Sequence, residues 1–264
     1  MDPATGALAI RRFDPRKMVP HAVILMVAKR RSGKSVLVKD LMYYKRKEIT
    51  TGIAMSATEE GNGFYGSWIP PVFVYSEYDK DALQRLVDRQ KKMTKLGKAA
   101  PVFVILDDIG FDKAVLNTKL IRELFLNGRH YQITLFLCLQ YALDISPSLR
   151  SNIDYVIVLK ENVFREKLYK NFFQIIPNFS MFNAIMDSVT VNHGALVLDN
   201  TSHSSKLTDN IYWYKAKFGR EFRLGAPEAW KFSKNRCKKD EDDDDPKPPA
   251  AAPQKRGIVV IKKR

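Results

Sequence analysis

The chain has 264 residues and a mass of 30.3 kDa, which is long enough to bury one large core. Hydrophobic residues make up 45% of it and charged residues 28%, a composition that excludes a wholly disordered chain. The formal net charge of +15 at pH 7 points to a polyanionic partner, and nucleic acid is the first candidate.

The sequence indicates neither a membrane-spanning helix nor a fold that depends on disulfide bonds. No apolar run reaches the roughly 20 residues of a membrane helix, and the amino terminus lacks the continuous apolar core of a signal peptide. The two cysteines, Cys138 and Cys237, offer neither a disulfide framework nor a metal-ligand spacing. We therefore expect a soluble intracellular protein with reduced thiols and no membrane span.

Residues 1–20 are predicted to form an extended basic arm. Pro3, Pro15 and Pro20 exclude a long helix there. The basic residues of this arm are Arg11, Arg12, Arg16 and Lys17. The folded body is predicted to follow over residues 21–233.

Short apolar runs alternate with helical spacing through the body. The first run, HAVILMV, is typical of a strand that is buried on both faces of a parallel sheet. The predicted strands cover 21–27, 53–56, 72–75, 102–106, 133–140 and 155–159, and the predicted helices cover 35–47, 79–95 and 119–126. This alternation predicts an α/β fold with a mostly parallel central sheet flanked by helices.

Residues 234–264 are predicted to be a charged, proline-rich, disordered tail. It contains DEDDDD followed by PKPPAAAP, and it closes with IVVIKKR, which is either a strand for a partner's sheet or a solvated end. The tail holds ten basic and six acidic residues, so about +11 of the net charge belongs to the rest of the chain.

A phosphate-binding loop is predicted directly after the first strand. The Walker A pattern is Gly, four residues, then Gly-Lys-Ser/Thr, because backbone N–H groups wrap the phosphates and the lysine reaches them. The stretch AKRRSGKS matches at its end but has Ala28 in place of the first glycine and Arg31 in the interior. The predicted nucleotide-binding residues are Ala28, Lys29, Arg30, Arg31, Ser32, Gly33, Lys34, Ser35 and Val36.

Two acids end a later apolar strand, VFVILDD, which is a Walker B pattern. Asp107 is predicted to hold Mg²⁺ opposite the Ser35 hydroxyl, and Asp108 to polarise the attacking water or accept its proton. A helix cap or loop start is the structural alternative for these acids. Gln140, at the end of the ITLFLCLQ strand, is predicted to orient water or sense the γ-phosphate.

The sequence resembles the FtsK/HerA superfamily, most closely the genome-packaging ATPases of large double-stranded DNA viruses. Besides the loop, the resemblance rests on FVYSEYD, VILDD, LFLNGRHYQITLFLCLQY, SPSLRSNIDYV and LVLDNTSHSSKLTDNIYWYKA, and it covers about residues 20–217. It implies a RecA-like P-loop NTPase core that forms a homo-oligomeric ring and moves double-stranded DNA by ATP hydrolysis. Lys34 and Ser35 match the family's phosphate and Mg²⁺ positions, Asp107 and Asp108 its Walker B acids, and Gln140 its sensor.

Ring ATPases usually complete each site with an arginine from the neighbouring subunit. Arg150 in SPSLRSNID is the first candidate, and Arg129 in NGRHY is the second. Either residue could instead form a structural ion pair or contact a phosphate. The predicted catalytic residues are therefore Lys34, Asp108, Gln140 and Arg150.

The expected partners are double-stranded DNA, further copies of the chain, and capsid or portal-vertex proteins. DNA contacts are expected to be sequence-independent and directed to phosphates. Their candidates are Lys45, Arg46 and Lys47, together with the basic residues of the arm. The expected location is the host cytoplasm or nucleus where virus assembles, with association with the virion as a further option.

Two other functions remain open at this stage. A small nucleotide kinase would share the phosphate loop, and phosphoryl transfer to a nucleoside would reveal it. A catalytically weak, basic DNA-binding or capsid-assembly protein would bind nucleic acid without ATP turnover. Ala28 and Arg31 favour the catalytically weak DNA-binding or capsid-assembly protein, whereas the intact lysine, serine and paired acids favour an active ATPase.

Overall fold

The computed structural model describes residues 8–108, 113–141 and 145–244. Its strands are β1 (Arg11–Arg12), β2 (Val23–Val27), β3 (Thr51–Ser56), β4 (Val74–Tyr75), β5 (Val102–Asp107), β6 (Ile133–Leu139), β7 (Tyr155–Val158), β8 (Gly194–Asp199) and β9 (Ile211–Lys215). Its helices are α1 (Lys34–Lys45), α2 (Glu59–Asn62), α3 (Lys80–Lys95), α4 (Lys113–Leu116), α5 (Lys119–Asn127), α6 (Pro147–Arg150), α7 (Arg165–Phe172), α8 (Phe179–Val189), α9 (Leu207–Asn210) and α10 (Pro227–Asp244).

The described strands form one sheet in the order β1-β9-β8-β7-β2-β6-β5-β3-β4. From β7 to β4 every neighbouring pair is parallel, whereas β8 runs antiparallel to both β7 and β9. The mostly parallel α/β fold predicted from the sequence is therefore confirmed. Strands β2, β5 and β6 lie side by side, so their carboxyl ends, and the residues that follow them, meet at one edge of the sheet.

Apolar side chains cover both faces of the central strands, which explains why those strands read as continuous apolar runs. In β2, Leu25 joins the cluster on the face covered by α3, α5, α7 and α8, whereas Met26 joins the cluster on the face covered by α1. Successive side chains of a strand point to opposite faces, so a strand between two helical layers needs an apolar residue at every position.

Local side-chain bonds fix where several helices begin. Asp79 accepts the N–H of Ala82 at 2.8 Å at the start of α3, and Asn178 accepts the N–H of Met181 at 2.8 Å at the start of α8. These bonds satisfy donors that a helix leaves unpaired in its first turn. Among the helices of the described residues, none combines the length and apolarity needed to cross a membrane.

Both predicted domain boundaries fall inside packed structure. Before residue 20, β1 pairs with β9, and Phe13 and Met18 are buried. Near the other end, α10 runs through residue 234, and the hydroxyl of the buried Ser233 accepts the N–H of Val72 at 2.7 Å. The predicted tail from 245 onward, including IVVIKKR, lies outside the described residues.

A buried carboxylate, Asp40, ties α1 to the chain that follows β9. It accepts the Tyr214 hydroxyl at 2.6 Å, the Lys217 N–H at 3.0 Å and the Arg220 Nε at 2.7 Å. Asp40 is 1% exposed, so these donors replace the water that an ionised carboxylate would otherwise need. The Arg220 guanidinium also lies 4.0 Å from the ring centroid of Tyr43.

We expect Asp40→Ala to destabilise the protein by about 3–5 kcal/mol, because it leaves a guanidinium and a phenol without their buried partner. Asp88→Ala is the matched control: Asp88 is largely exposed and its ion pair with Lys91 spans 3.9 Å, so the loss should stay below about 1 kcal/mol. Urea denaturation measures both. Equal stabilities for the two variants would contradict the role given to Asp40.

Candidate nucleotide site

The loop between β2 and α1 has the backbone that a phosphate-binding loop needs, despite its two unusual residues. Ala28 is buried, lies outside the left-handed region, and donates its N–H to the carbonyl of Leu139 at 3.1 Å. A methyl group therefore costs nothing in backbone conformation at the position where the motif has glycine. Gly33 has φ 102° at the start of α1, where glycine is favoured. Arg31, with φ 59°, adopts a left-handed conformation that glycine would adopt more easily.

Residues from three strand ends meet in one hydrogen-bonded cluster. The Lys34 ammonium lies 2.7 Å from Asp108 Oδ1 and 3.8 Å from Asp107 Oδ1. The Ser35 hydroxyl donates to Asp107 Oδ2 at 2.8 Å, and Gln140 Nε2 donates to Asp108 Oδ1 at 3.0 Å. The structure thus brings together Lys34, Ser35, Asp107, Asp108 and Gln140, which the sequence had predicted as parts of one site.

Most of this cluster is shielded from water. Asp107 is 2% exposed and Lys34 is 6% exposed. Burial raises the pKa of Asp107, while the Lys34 ammonium and hydrogen bonds from Tyr65 and Ser35 lower it. The nearby ammonium thus partly offsets the desolvation cost of the carboxylate.

Tyr65 is a site residue that sequence reasoning missed. Its hydroxyl donates to Asp107 Oδ2 at 2.7 Å, the same oxygen that Ser35 contacts. Burial, followed by the negative charge of Asp107, raises the pKa of this phenol well above its usual range, so it stays a neutral donor. The Glu59 carboxylate accepts the N–H groups of Tyr65 at 2.9 Å and Gly66 at 2.7 Å, which fixes the segment that carries the ring.

A cavity of about 650 Å³ opens in front of the cluster. The predicted loop residues from Lys29 to Val36 line it. It is also lined by Asp107 and Asp108, and by Ala57, Thr58, Asn62 and Phe64, which the sequence did not single out. Residues 57–65 lie more than 40 positions before Asp107 in the sequence. No motif spacing could therefore have predicted that they belong to the site.

The oxygens of the cluster fit a magnesium ion. Mg²⁺ prefers carboxylate, hydroxyl and water oxygens. Asp107 Oδ1 is buried and lacks a hydrogen-bond partner within the described residues, and the Ser35 hydroxyl lies on the other oxygen of the same carboxylate. Ser35 and Asp107 are therefore the residues that would hold the ion, and the first turn of α1 would supply N–H groups to phosphate oxygens.

Three other predicted residues, Lys29, Arg150 and Arg129, make contacts with groups outside this cluster. Lys29 forms an ion pair of 3.5 Å with the buried Glu161. Arg150 donates from Nε to the carbonyl of Ile145 at 3.0 Å, donates to the Asn171 side chain, and stacks 5.6 Å from the centroid of Phe172. Arg129 lies 3.8 Å from Asp154.

The expected DNA contacts are only partly available. Lys45 is buried and donates to the carbonyl of Met18 at 3.1 Å. The prediction that Lys45 contacts a DNA phosphate is therefore wrong. Arg11 pairs with Asp209 at 2.7 Å and Arg16 with Asp14 at 2.9 Å, although both remain exposed. Lys47 is also exposed.

Comparison with known proteins places the chain in a family. No protein-family model matches the chain. It is 37% identical to protein 088R of Invertebrate iridescent virus 3, over 78% of this chain and 81% of that protein. It is 35% identical to protein L437 of Acanthamoeba polyphaga mimivirus, over 83% of this chain and 81% of that protein.

Solved structures share the fold at lower identity. The genome packaging NTPase B204 of Sulfolobus turreted icosahedral virus 2, in complex with ATPγS, matches with a TM-score of 0.51 and 21% identity, over 75% of this chain and 98% of that chain. B204 of Sulfolobus turreted icosahedral virus, described as the DNA-packaging ATPase, matches with a TM-score of 0.54 and 20% identity, over 76% of this chain and all of that chain.

The sheet order, the loop at the start of α1 and the paired acids at the end of β5 define a P-loop NTPase fold. The chain belongs to the family of large-DNA-virus proteins that includes 088R and L437. Its fold is that of the viral genome-packaging NTPase B204, as the resemblance stated from the sequence predicted.

We expect Tyr65→Phe to weaken binding of Mg-ATP roughly three- to tenfold, because it removes a hydrogen bond to the charged Asp107. Binding of ATP without Mg²⁺ should stay unchanged. Since the lost bond favours the ionised carboxylate, the pKa of Asp107 should rise further in the variant. As the pH is lowered, the variant should therefore lose Mg-ATP binding at a higher pH than the native protein does.

Fluorescence titration with a labelled ATP, with Mg²⁺ or with EDTA, measures these changes across pH. Tyr169→Phe is the matched control, because its hydroxyl donates to the Ile176 carbonyl at 3.1 Å, away from the cluster. An equal loss of affinity with EDTA would show that Tyr65 supports the loop as a whole instead of positioning Asp107.

Proposed function

We propose that this chain hydrolyses Mg-ATP to move double-stranded DNA, and that it packages a viral genome into a preformed capsid. One observation carries the proposal. At the end of the phosphate loop, Lys34 and Gln140 both donate hydrogen bonds to Asp108, and the Ser35 hydroxyl donates to the neighbouring Asp107. The names of the B204 structures, which describe packaging of genomes or DNA, support the same assignment.

Lys34 has two competing partners in this mechanism. It pairs with Asp108 at 2.7 Å in the structure, and phosphate oxygens entering the loop would attract the same ammonium. Movement of Lys34 to the phosphates would leave Asp108 with Gln140 and free one lone pair of Oδ1. The carboxylate would then have a further acceptor position for the proton of an attacking water once nucleotide is in place.

Magnesium held by Ser35 and Asp107 would neutralise charge on the phosphate oxygens. Tyr65 keeps one oxygen of Asp107 in place while the other is available. Gln140, whose amide already donates to Asp108, keeps its carbonyl oxygen for a water hydrogen atom. Burial of Lys34 and Asp107 limits the water that would compete for these bonds.

DNA is the partner that the charge of the chain supports. About +11 of the net charge lies before residue 234, within the described body and the segments that interrupt it. A motor that moves along DNA needs contacts with phosphates that do not depend on base sequence. We propose that exposed lysines and arginines, including Lys47, provide them.

The two alternative functions have weaker support. Against a nucleoside kinase stand the paired acids Asp107 and Asp108 and the amide of Gln140, which donates to Asp108. A non-catalytic role would leave the Lys34, Asp108 and Gln140 contacts without a purpose. Neither alternative is favoured.

We expect ATPase activity that duplex DNA stimulates. Lys34→Ala should reduce the rate by at least a hundredfold through loss of the phosphate contact, and Asp108→Asn should do so while nucleotide binding persists. Lys170→Ala and Asp187→Asn are matched controls, because both residues are exposed and lie in surface ion pairs. Phosphate release with and without duplex DNA measures the rates.

A mass measurement of the assembly should accompany these rates, since a translocating ring predicts a homo-oligomer larger than a dimer in the presence of nucleotide and DNA. Undiminished activity in either site variant would contradict the roles of Lys34 and Asp108. ATPase activity that DNA leaves unchanged would argue against translocation while leaving the nucleotide site intact.

We also propose that Arg150 acts on the nucleotide of the neighbouring subunit, with Arg129 as the second candidate. In its own subunit the Arg150 guanidinium rests on Asn171 and the ring of Phe172. Both contacts belong to α7, so the side chain lies at the carboxyl half of that helix, on one side of the sheet. Arginine suits this role because it stays charged and can bind phosphate oxygens with two N–H groups.

Mixing inactive subunits tests this role. Arg150→Ala and Lys34→Ala rings should each be inactive, whereas mixed rings should regain part of the activity, because some interfaces combine an intact Lys34 site with an intact Arg150. Thermal denaturation of Arg150→Ala checks that the fold persists. Failure of mixed rings to regain activity, with Arg150→Ala folded and assembled, would exclude Arg150 as the arginine supplied by the neighbour.

A further inference from the structure

The turn that precedes β8 contacts the phosphate loop. Strand β8 runs antiparallel to β7, and Val158 at the end of β7 pairs with Leu196 of β8. The start of β8 therefore lies at the edge of the sheet where the parallel strands end. At this edge His193 Nδ1 lies 3.2 Å from the carbonyl oxygen of Ser32, which is 161 positions earlier in the chain.

The chemistry of the two atoms fixes the direction of this hydrogen bond. A carbonyl oxygen can only accept, so Nδ1 of His193 must carry the hydrogen and donate it to Ser32. The ring also lies against the next residue of the loop, because a Cβ placed on Gly33 would be 3.8 Å from Nδ1. His193 thus contacts the loop backbone directly.

The bond holds one peptide group of the loop, the one between Ser32 and Gly33. The described residues contain no cis peptide bond, and in a planar trans peptide the C=O and the following N–H point in opposite directions. A Ser32 carbonyl held toward His193 therefore directs the Gly33 N–H away from His193. Gly33 lines the 650 Å³ cavity, whereas His193 is not among the described residues that line it. This arrangement suits a loop whose N–H groups must face phosphates.

The backbone that carries His193 is strained. Asn192 has φ 50° and His193 has φ 62°, so two successive residues other than glycine adopt the left-handed conformation. The turn has little room to relax, because a Cβ on Gly194 would clash with the carbonyl oxygen of Val189. Burial does not explain the conformation, since His193 is exposed. Strained residues that the surrounding structure holds in place cluster at functional sites.

The segment that joins β7 to β8 holds the loop at a second place as well. Glu161, which is 1% exposed, pairs with the Lys29 ammonium at 3.5 Å and accepts the N–H of Val163 at 2.6 Å. The contacts of Lys29 and Ser32 lie on either side of Arg31, which has φ 59° where glycine would fit more easily. The loop therefore receives outside support where its own sequence is least suited to the conformation.

We propose that His193 is a positioning residue of the nucleotide site, which rests on the nucleotide binding proposed above. It holds the Ser32–Gly33 peptide so that the Gly33 N–H is directed to the phosphates before nucleotide enters. Without this bond the peptide can rotate, and a nucleotide must restore its orientation on binding. Affinity then falls because part of the binding free energy is used to order the loop.

Two substitutions of His193 in the full-length protein separate the hydrogen bond from the shape of the turn. Glycine and asparagine both accept the left-handed conformation, but only asparagine keeps a donor nitrogen bonded to Cγ, as Nδ1 is. We expect His193→Gly to weaken ATP binding about three- to tenfold, equally with Mg²⁺ and with EDTA, because the loop N–H groups bind phosphate oxygens in either case. His193→Asn should bind ATP within about twofold of the native protein.

Asn192→Gly is the matched control, because it changes the preceding left-handed residue of the same turn and leaves the imidazole in place. It should bind ATP as the native protein does. Fluorescence titration with a labelled ATP measures the affinities, and thermal denaturation checks that each variant folds. Native affinity in His193→Gly, or an equal loss in His193→Asn or Asn192→Gly, would overturn the role of His193.

The nucleotide site and the role of His193 fail in different ways. A native protein that bound no ATP would overturn the nucleotide site and the role of His193 together. ATP binding by the native protein that His193→Gly leaves unchanged would overturn the role of His193 alone. A loss in His193→Gly that His193→Asn restores would support this role whether or not DNA stimulates the ATPase.

Discussion

One ammonium and two carboxylates are held close together at the carboxyl edge of the sheet, with Lys34 and Asp107 almost completely out of water. Such groups stay charged in a protein interior only when opposite charges and hydrogen bonds replace their lost solvation. Lys34 Nζ lies within 4 Å of both acids, and Ser35, Tyr65 and Gln140 donate to the carboxylate oxygens. Each of these side chains is fixed by another, so the strand ends and the loop must keep one relative arrangement.

The need of buried charged groups for hydrogen-bond partners also explains how α1 is anchored along its length. Its first turn carries Lys34 and Ser35 into the cluster, its middle carries Asp40 to Tyr214 and Arg220, and its last turn carries Lys45 to the carbonyl of Met18. Three polar contacts on one helix join the centre of the sheet to the chain after β9 and to the segment before β2. Displacement of the helix by phosphates would therefore be opposed at both ends, which favours a rigid loop over a mobile one.

The central strands and their helices could be predicted because their signals are local. A strand buried on both faces must be apolar throughout, and the runs that became β2, β5, β6 and β7 meet this condition. Strand β1 has two residues, Arg11 and Arg12, and offers no such pattern. Strands β8 and β9 lie toward one side of the sheet. They pair antiparallel with each other, and the spacing of residues within either strand does not indicate that pairing. The boundaries expected near residues 20 and 234 fell inside packed structure because charge and proline content do not record burial of Phe13 or Ser233.

The sequence by itself determined the phosphate loop, the paired acids at the end of β5 and the polar residue at the end of β6, since each motif is contiguous in the chain. It also determined that these ends meet, because parallel strands present their carboxyl ends at a common edge. Only the tertiary structure decided that Tyr65 holds Asp107, that Lys45 is buried and unavailable to DNA, and that His193 contacts the phosphate loop. Those facts depend on contacts between residues far apart in the chain, and no local pattern of residue types encodes such contacts.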